Sequence, residues 1–330
     1  MFVLQIRRAM GTSHSMNPAI TFGLLTALLY GVSDFIAKFS SRAVGVWRTL
    51  FWGELCSVSL LTVWIVLRHA APADALSMPA SVWAVAVGSN LMILAATALF
   101  YRALIGGSFS VVAPIVATYG AITALLSAFL GEPLGLVAFG GIAVAVLGAA
   151  MASVPARSSG EAPRHGAGQG AGLASISAIL YGVGFCIQAH YVVPKLGHLI
   201  PVWLYYGLGA ALLGSAALVL RKDLSPPSLA QVPVVLGTGL AASGAFVALT
   251  LAVTGGDVAV PTVMASLASV VTVVLARVLI KEEVALHQWA GIAAVIFGLI
   301  MLNGHAQHSH RQPVRLAALH AGETGPHTQG

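Results

Sequence analysis

Two carboxylates stand where the chain should meet lipid. Glu54 lies within Phe51-Trp52-Gly53-Glu54-Leu55, and Asp34 lies four residues before Lys38 toward the end of another apolar run. A carboxylate at membrane depth costs roughly 2.5 kcal/mol or more to insert, so it belongs on the bundle interior or against a wet cavity. Two uses fit a group held there at such cost: carrying a coupling proton or contacting a polar substrate. A purely structural hydrogen bond is the alternative. At helical spacing, Trp47, Leu50, Phe51 and Ser57 share the face of Glu54. Tyr30, Thr26 and Gly23 continue the Asp34 stripe as small and polar residues. Asp34 and Lys38 have the spacing of an ion pair along one helix face.

Further candidate lining residues are Asn90, Tyr101, Arg102 and Tyr119 in the first half, and Tyr181, Gln188, His190 and Tyr205 in the second. Arg102 closes a span, where a long basic side chain commonly snorkels to headgroups. Pro114 and Pro261 each follow a glycine pair by a few residues. A proline removes a backbone donor and can break a helix, a device that carriers place near midplane sites, or it can sit harmlessly in a first turn. His305, His308 and His310 carry metal-ligating atoms, but so polar a tail reads as a solvated end, and no metal is assigned. The chain shows no phosphate-cradling loop, nucleophile elbow or zinc-protease helix, so neither an ATP-driven pump nor a bound cofactor is expected.

The elements that must position these groups are transmembrane helices. Of 330 residues, 58% are hydrophobic and 8% charged, with mean hydropathy +0.91, against about 25% charged in a soluble domain. Continuous rather than alternating apolar runs specify helices, not a barrel. Ten spans are predicted, near 18–39, 46–67, 81–104, 109–130, 134–153, 172–193, 201–220, 231–253, 258–280 and 286–303. Residues 1–16 read as an N-terminal extension, with Met16 a natural start. Residues 154–171 form a Gly/Pro/Ser-rich linker, and 304–330 a disordered His-containing tail. Cys56 and Cys186 lie inside apolar runs and read as small apolar residues. The net charge of +6 is scattered over loops, which suits lipid headgroups and not nucleic acid.

The chain also repeats itself. Gly88-Ser89-Asn90-Leu91 recurs as Gly237-Thr238-Gly239-Leu240, Gly106-Gly107 as Gly255-Gly256, and Tyr30-Gly31-Val32 as Tyr181-Gly182-Val183. Gly141 and Gly148 recur as Gly291 and Gly298, one face of small residues fit to pack helices within the protein or against a second copy, a homodimer. Residues 17–153 and 172–303 are thus two copies of five predicted helices. Five is odd, so the copies enter the membrane inverted, the build of many secondary transporters. The charges Asp34, Lys38, Arg48, Glu54 and Arg102 belong to the first copy alone. Loop charge does not orient the chain. The raw count of Lys and Arg favours termini outside, and setting aside Lys38, Arg48, Arg102 and Arg277, which fall at or within predicted helices, evens the two sides.

These residues resemble the EamA-type members of the drug/metabolite transporter superfamily over about residues 17–303. The likeness rests on Tyr30-Gly31-Val32-Ser33-Asp34, Phe100-Tyr101-Arg102-Ala103-Leu104, Ser110-Val111-Val112-Ala113-Pro114, and Glu132 followed by the Gly141/Gly148 helix. It continues in Val258-Ala259-Val260-Pro261, Glu282 or Glu283, and Gln288-Trp289-Ala290-Gly291 with Gly298. The resemblance implies a ten-helix carrier of the bacterial inner membrane, with a central cavity, cytoplasmic termini, and export or exchange of small metabolites by alternating access. Glu54 matches no motif of the family, so its candidacy rests on burial cost. A membrane-embedded enzyme acting on a lipid-like substrate is the alternative reading, and a passive scaffold a third.

Overall fold

The computed structural model describes residues 18–68, 75–132, 135–152, 167–256, 258–282, 284–298 and 300–301. All regular structure among them is helical, as lipid demands of a chain that must satisfy every backbone group within its own segment. The first half runs α1 (Pro18–Val44), α2 (Val46–Arg68), α3 (Ala80–Gly106), α4 (Phe109–Phe129) and α5 (Leu136–Ala152). The second runs α6 (Ala167–Ile187), continued by a π-helical stretch Gln188–Val192 and a last turn Val193–Leu196. Then come α7 (Ile200–Leu220), α8 (Val232–Ala252), α9 (Ala259–Ser266), α10 (Ala268–Leu279) and α11 (Leu286–Gly298).

Among the described residues, eight helical segments are long and apolar enough to cross a membrane, α9 and α10 counting as one. The two remaining predicted spans, 134–153 and 286–303, correspond to the shorter helices α5 and α11, which close the two halves in equivalent positions. The proline expectation divides. α4 runs unbroken through Pro114. In the second half the interruption falls at Leu267, while Pro261 sits in the first turn of α9, where no intrahelical donor is lost. The His-rich tail, the linker core and residues 1–16 lie outside the described residues.

The halves do not sit side by side; they exchange helices. α1 packs most extensively on α8 and on α9–α10, while α6 packs on α3 and α4. Glycine makes both approaches possible: a Cβ at Gly31 would meet Val271 and the Ala268 carbonyl, and one at Gly182 would meet Ile122 and the Tyr119 carbonyl. One hydrogen bond is duplicated across the same seams. Thr272 Oγ1 donates to the Gly31 carbonyl (3.2 Å), and Thr123 Oγ1 donates to the Gly182 carbonyl (3.0 Å). The small-residue face behaves likewise. A Cβ at Gly148 would lie 2.6 Å from the Gly291 carbonyl, so this glycine packs α5 on α11 within the chain.

α2 and α8 also cross closely. Ser57 Oγ donates to the Gly239 carbonyl at 3.0 Å, and a Cβ at Gly239 would lie 2.7 Å from both the Cα and the carbonyl oxygen of Gly53. Backbone cannot swing aside as a side chain can. Gly239→Ala is therefore expected to destabilise the protein by ~1–3 kcal/mol through overpacking, read as a fall in Tm of the purified protein. A Tm equal to that of the parent would show that the crossing is looser than described. The α7–α8 loop is pinned from α2. Arg48 donates to the carbonyls of Ser225 and Pro226 (3.0 Å each) and lies 3.7 Å from Asp223. The Ser225 N–H and hydroxyl, with Arg48 nearby, hold Asp223 below the usual carboxylate range.

Candidate functional site

Because the halves interdigitate, helices from both converge on one central cavity. α1 contributes Tyr30, Ser33 and Asp34; α2 contributes Thr49, Leu50, Gly53 and Glu54; α3 contributes Thr97, Phe100 and Tyr101. Tyr119 comes from α4, Tyr181 and Phe185 from α6, Tyr205 and Tyr206 from α7, and Phe246 from α8. The rings form a continuous wall. Tyr119 lies 5.9 Å from Tyr181, Tyr181 stacks on Phe185 at 5.4 Å, and Phe185 meets Phe246 edge-on at 5.7 Å. Phe246 meets Tyr205 at 5.4 Å, and Tyr205 meets Tyr206 at 4.8 Å, both edge-on. Such offset and T-shaped pairs are the arrangements ring quadrupoles prefer.

Glu54 is 4% exposed, and its Oε2 has no hydrogen-bond partner among the described residues. Its room is made by Gly209 of α7, where a Cβ would stand 3.0 Å from Oε2. The Tyr205 hydroxyl approaches the carboxyl group and also lies 2.9 Å from Thr97 Oγ1. Thr97 donates its hydrogen to the Ile93 carbonyl (2.9 Å) and accepts one from the Tyr181 hydroxyl (2.8 Å). A hydroxyl carries one hydrogen, so that of Tyr205 goes to Thr97, with the Glu54 carboxyl group beside it as a competing acceptor. The chain Glu54–Tyr205–Thr97–Tyr181 therefore ties the carboxyl group to both halves.

Asp34 makes no hydrogen bond or ion pair among the described residues, although it lines the same cavity. The expected Asp34–Lys38 pair is not formed. Lys38 Nζ instead donates to the Gly107 carbonyl (3.0 Å) and lies over the Phe109 ring, 4.2 Å from its centre. The Tyr119 hydroxyl is also buried without a partner among the described residues. Among the described residues, no lysine, arginine or histidine lines the cavity.

The cavity thus gathers Glu54, Asp34, Tyr30, Tyr101, Tyr119, Tyr181 and Tyr205 of the sequence candidates. Four others lie elsewhere. Arg102 is exposed. Asn90 and Gln188 form a buried amide pair outside the lining, with Gln188 Nε2 donating to Asn90 Oδ1 and Asn90 Nδ2 donating to the Pro201 carbonyl at 3.1 Å. The π-helical stretch beginning at Gln188 accompanies this contact. His190 turns its Nδ1 to the Cys186 carbonyl at 3.1 Å. Sequence reasoning missed Thr97, Phe185, Tyr206 and Phe246 as lining residues. For Phe185 a signal existed, since it lies one helical turn beyond Tyr181.

A second, duplicated feature lies at the two ends of α4. Glu132, after α4, accepts the N–H of Ala259 (3.2 Å) and of Val258 (3.4 Å), at the start of α9. Glu282, after α10, accepts the N–H of Ser110 (3.0 Å) and of Phe109 (3.4 Å), at the start of α4. Each half's glutamate caps the other half's helix, where free N–H groups and the helix dipole favour a negative charge. The turns match too: Gly131 (φ 99°) and Lys281 (φ 54°) both adopt left-handed backbone immediately before the glutamate.

The EamA-like transporter family model matches residues 17–154 and again residues 168–304. A search of curated proteins finds no match. Twenty-seven chains of solved structures match. One crystal structure aligns at TM-score 0.67 and 19% identity, covering 89% of this chain and 99% of the other, a likeness of fold.

Proposed function

We propose, for a chain that belongs to the EamA-like transporter family through both of its halves, a secondary carrier that moves a small molecule through the central cavity by alternating access. The observation that carries this reading is the cavity itself: two carboxylates and an unpartnered tyrosine hydroxyl, enclosed by helices of both halves. On this reading α5 and α11 complete ten spans, and the odd number in each half inverts the second copy. The membrane is the bacterial inner membrane, the termini are cytoplasmic, and the direction is export or exchange.

Glu54 is the coupling group. As a carboxylate it draws the Tyr205 hydrogen; once protonated it releases that hydrogen to Thr97. Its protonation state is thereby communicated to Tyr181 and the second half. Inversion also gives the glutamate caps a role. Glu132 and Glu282 stand at opposite membrane faces, each fastening a helix start of the other half, so opening one face releases one cap while the other holds.

The test is reconstitution in liposomes, with amino acids, amines and organic anions screened for uptake with and without a pH gradient. Saturable uptake of at least one solute is expected, enhanced by the gradient. No movement of any solute would overturn the carrier reading.

A further inference from the structure

We infer that the solute is an organic cation, an ammonium or quaternary nitrogen carried on an apolar body. This inference rests on the carrier reading and deepens it. The cavity places two carboxylates, Asp34 and Glu54, against no basic side chain among the described residues. Tyr101 lies within electrostatic reach of both, so the two acids act on one shared space. A buried anion without a counter-charge is costly, and a cationic solute relieves that cost for both acids at once.

The remaining lining says what kind of cation. Much of the remaining wall is built of the rings of Tyr119, Tyr181, Phe185, Phe246, Tyr205 and Tyr206. Ring faces carry the negative end of a quadrupole and attract organic ammonium groups, most strongly where water is excluded. They are poor ligands for an inorganic cation, which requires a shell of about six oxygen atoms at short range. Among the described residues no cluster of three His, Cys, Asp or Glu side chains exists to supply a metal site. An anionic solute would be repelled by either acid once ionised, whereas a cationic one pairs with both. A zwitterion would bring a carboxylate that only hydroxyl donors such as Tyr119 could meet. The two acids therefore read a positive charge, and the rings around them read an apolar or aromatic body.

The full-length protein in nanodiscs is titrated with radiolabelled benzyltrimethylammonium, phenylacetate and phenylalanine, followed by a panel of amines with bodies from methyl to naphthyl. Saturable binding of cations is expected, with phenylacetate and phenylalanine at least tenfold weaker. Asp34→Asn and Glu54→Gln should each weaken cation binding about tenfold or more, while Asp34→Glu, which keeps the charge, retains it and controls for misfolding. Saturable binding of the anion or zwitterion without the cations overturns the inference, as does cation binding that neither neutral variant alters or the absence of binding by every cation. The liposome screen separates the two levels. Flux of anions or neutral solutes alone defeats this inference and leaves the carrier standing, whereas no flux at all defeats both.

Discussion

Glu54→Gln is expected to abolish the response of transport to a pH gradient and to cut gradient-driven uptake about thirtyfold or more. Glutamine keeps the shape that fits over Gly209, so the variant should fold, with a Tm close to that of the parent. What it removes is the exchangeable proton and the charge. The amide does not titrate and cannot alternate between drawing and releasing the Tyr205 hydrogen as pH changes, so the link through Thr97 to Tyr181 no longer responds to protonation. Loss of one charge-assisted hydrogen bond amounts to ~2 kcal/mol, which is about thirtyfold in an equilibrium or rate. The measurement is initial uptake into proteoliposomes across a range of external pH. An unchanged rate with an unchanged pH profile would make Glu54 a structural residue, and the coupling would have to lie with Asp34.

The sequence carried the architecture because its physics is local. Insertion into lipid is decided by the hydropathy of about twenty consecutive residues, so eight spans could be read directly, and the repeated glycine motifs marked two copies. The cost of a buried carboxylate is equally local, which is why Asp34 and Glu54 were legible as lining residues before any helix was placed. Contacts between spans were not. Gln188 donates to Asn90 across 98 positions, and nothing in either residue's own helix announces that partner. Lys38 sits at the right spacing for Asp34, yet the Gly107 carbonyl and the Phe109 ring claim its ammonium group. Helical periodicity fixes a face, not what that face meets. The glutamates show the limit most clearly. The motif left Glu282 and Glu283 as alternatives, and only the exchange of helices between halves brings Glu282 to the start of α4. That exchange is a global property of the fold, invisible in any one window of sequence.

Because the two caps are copies related by the repeat, their removal should have opposite consequences. Glu282→Gln weakens the fastening of α4, and Glu132→Gln that of α9. Each loses hydrogen bonds from backbone N–H groups to a charged acceptor and a favourable dipole contact, together ~1.5–3 kcal/mol. That is about 10- to 100-fold in the balance between inward- and outward-open forms, provided the cap exists in one form and is broken in the other. Cysteines introduced at Ser108 and Thr254, beside the two caps, report this balance through labelling by a membrane-impermeant maleimide in a Cys56→Ser, Cys186→Ser background. Glu282→Gln should speed labelling at position 108 and slow it at position 254, and Glu132→Gln should do the reverse. The double variant is the decisive arm. If the caps are opposed gates, their losses offset, and labelling at both positions returns toward the parental ratio even though stability has fallen twice. If they merely brace the fold, the double variant labels faster at both sites than either single one, and the gating role fails.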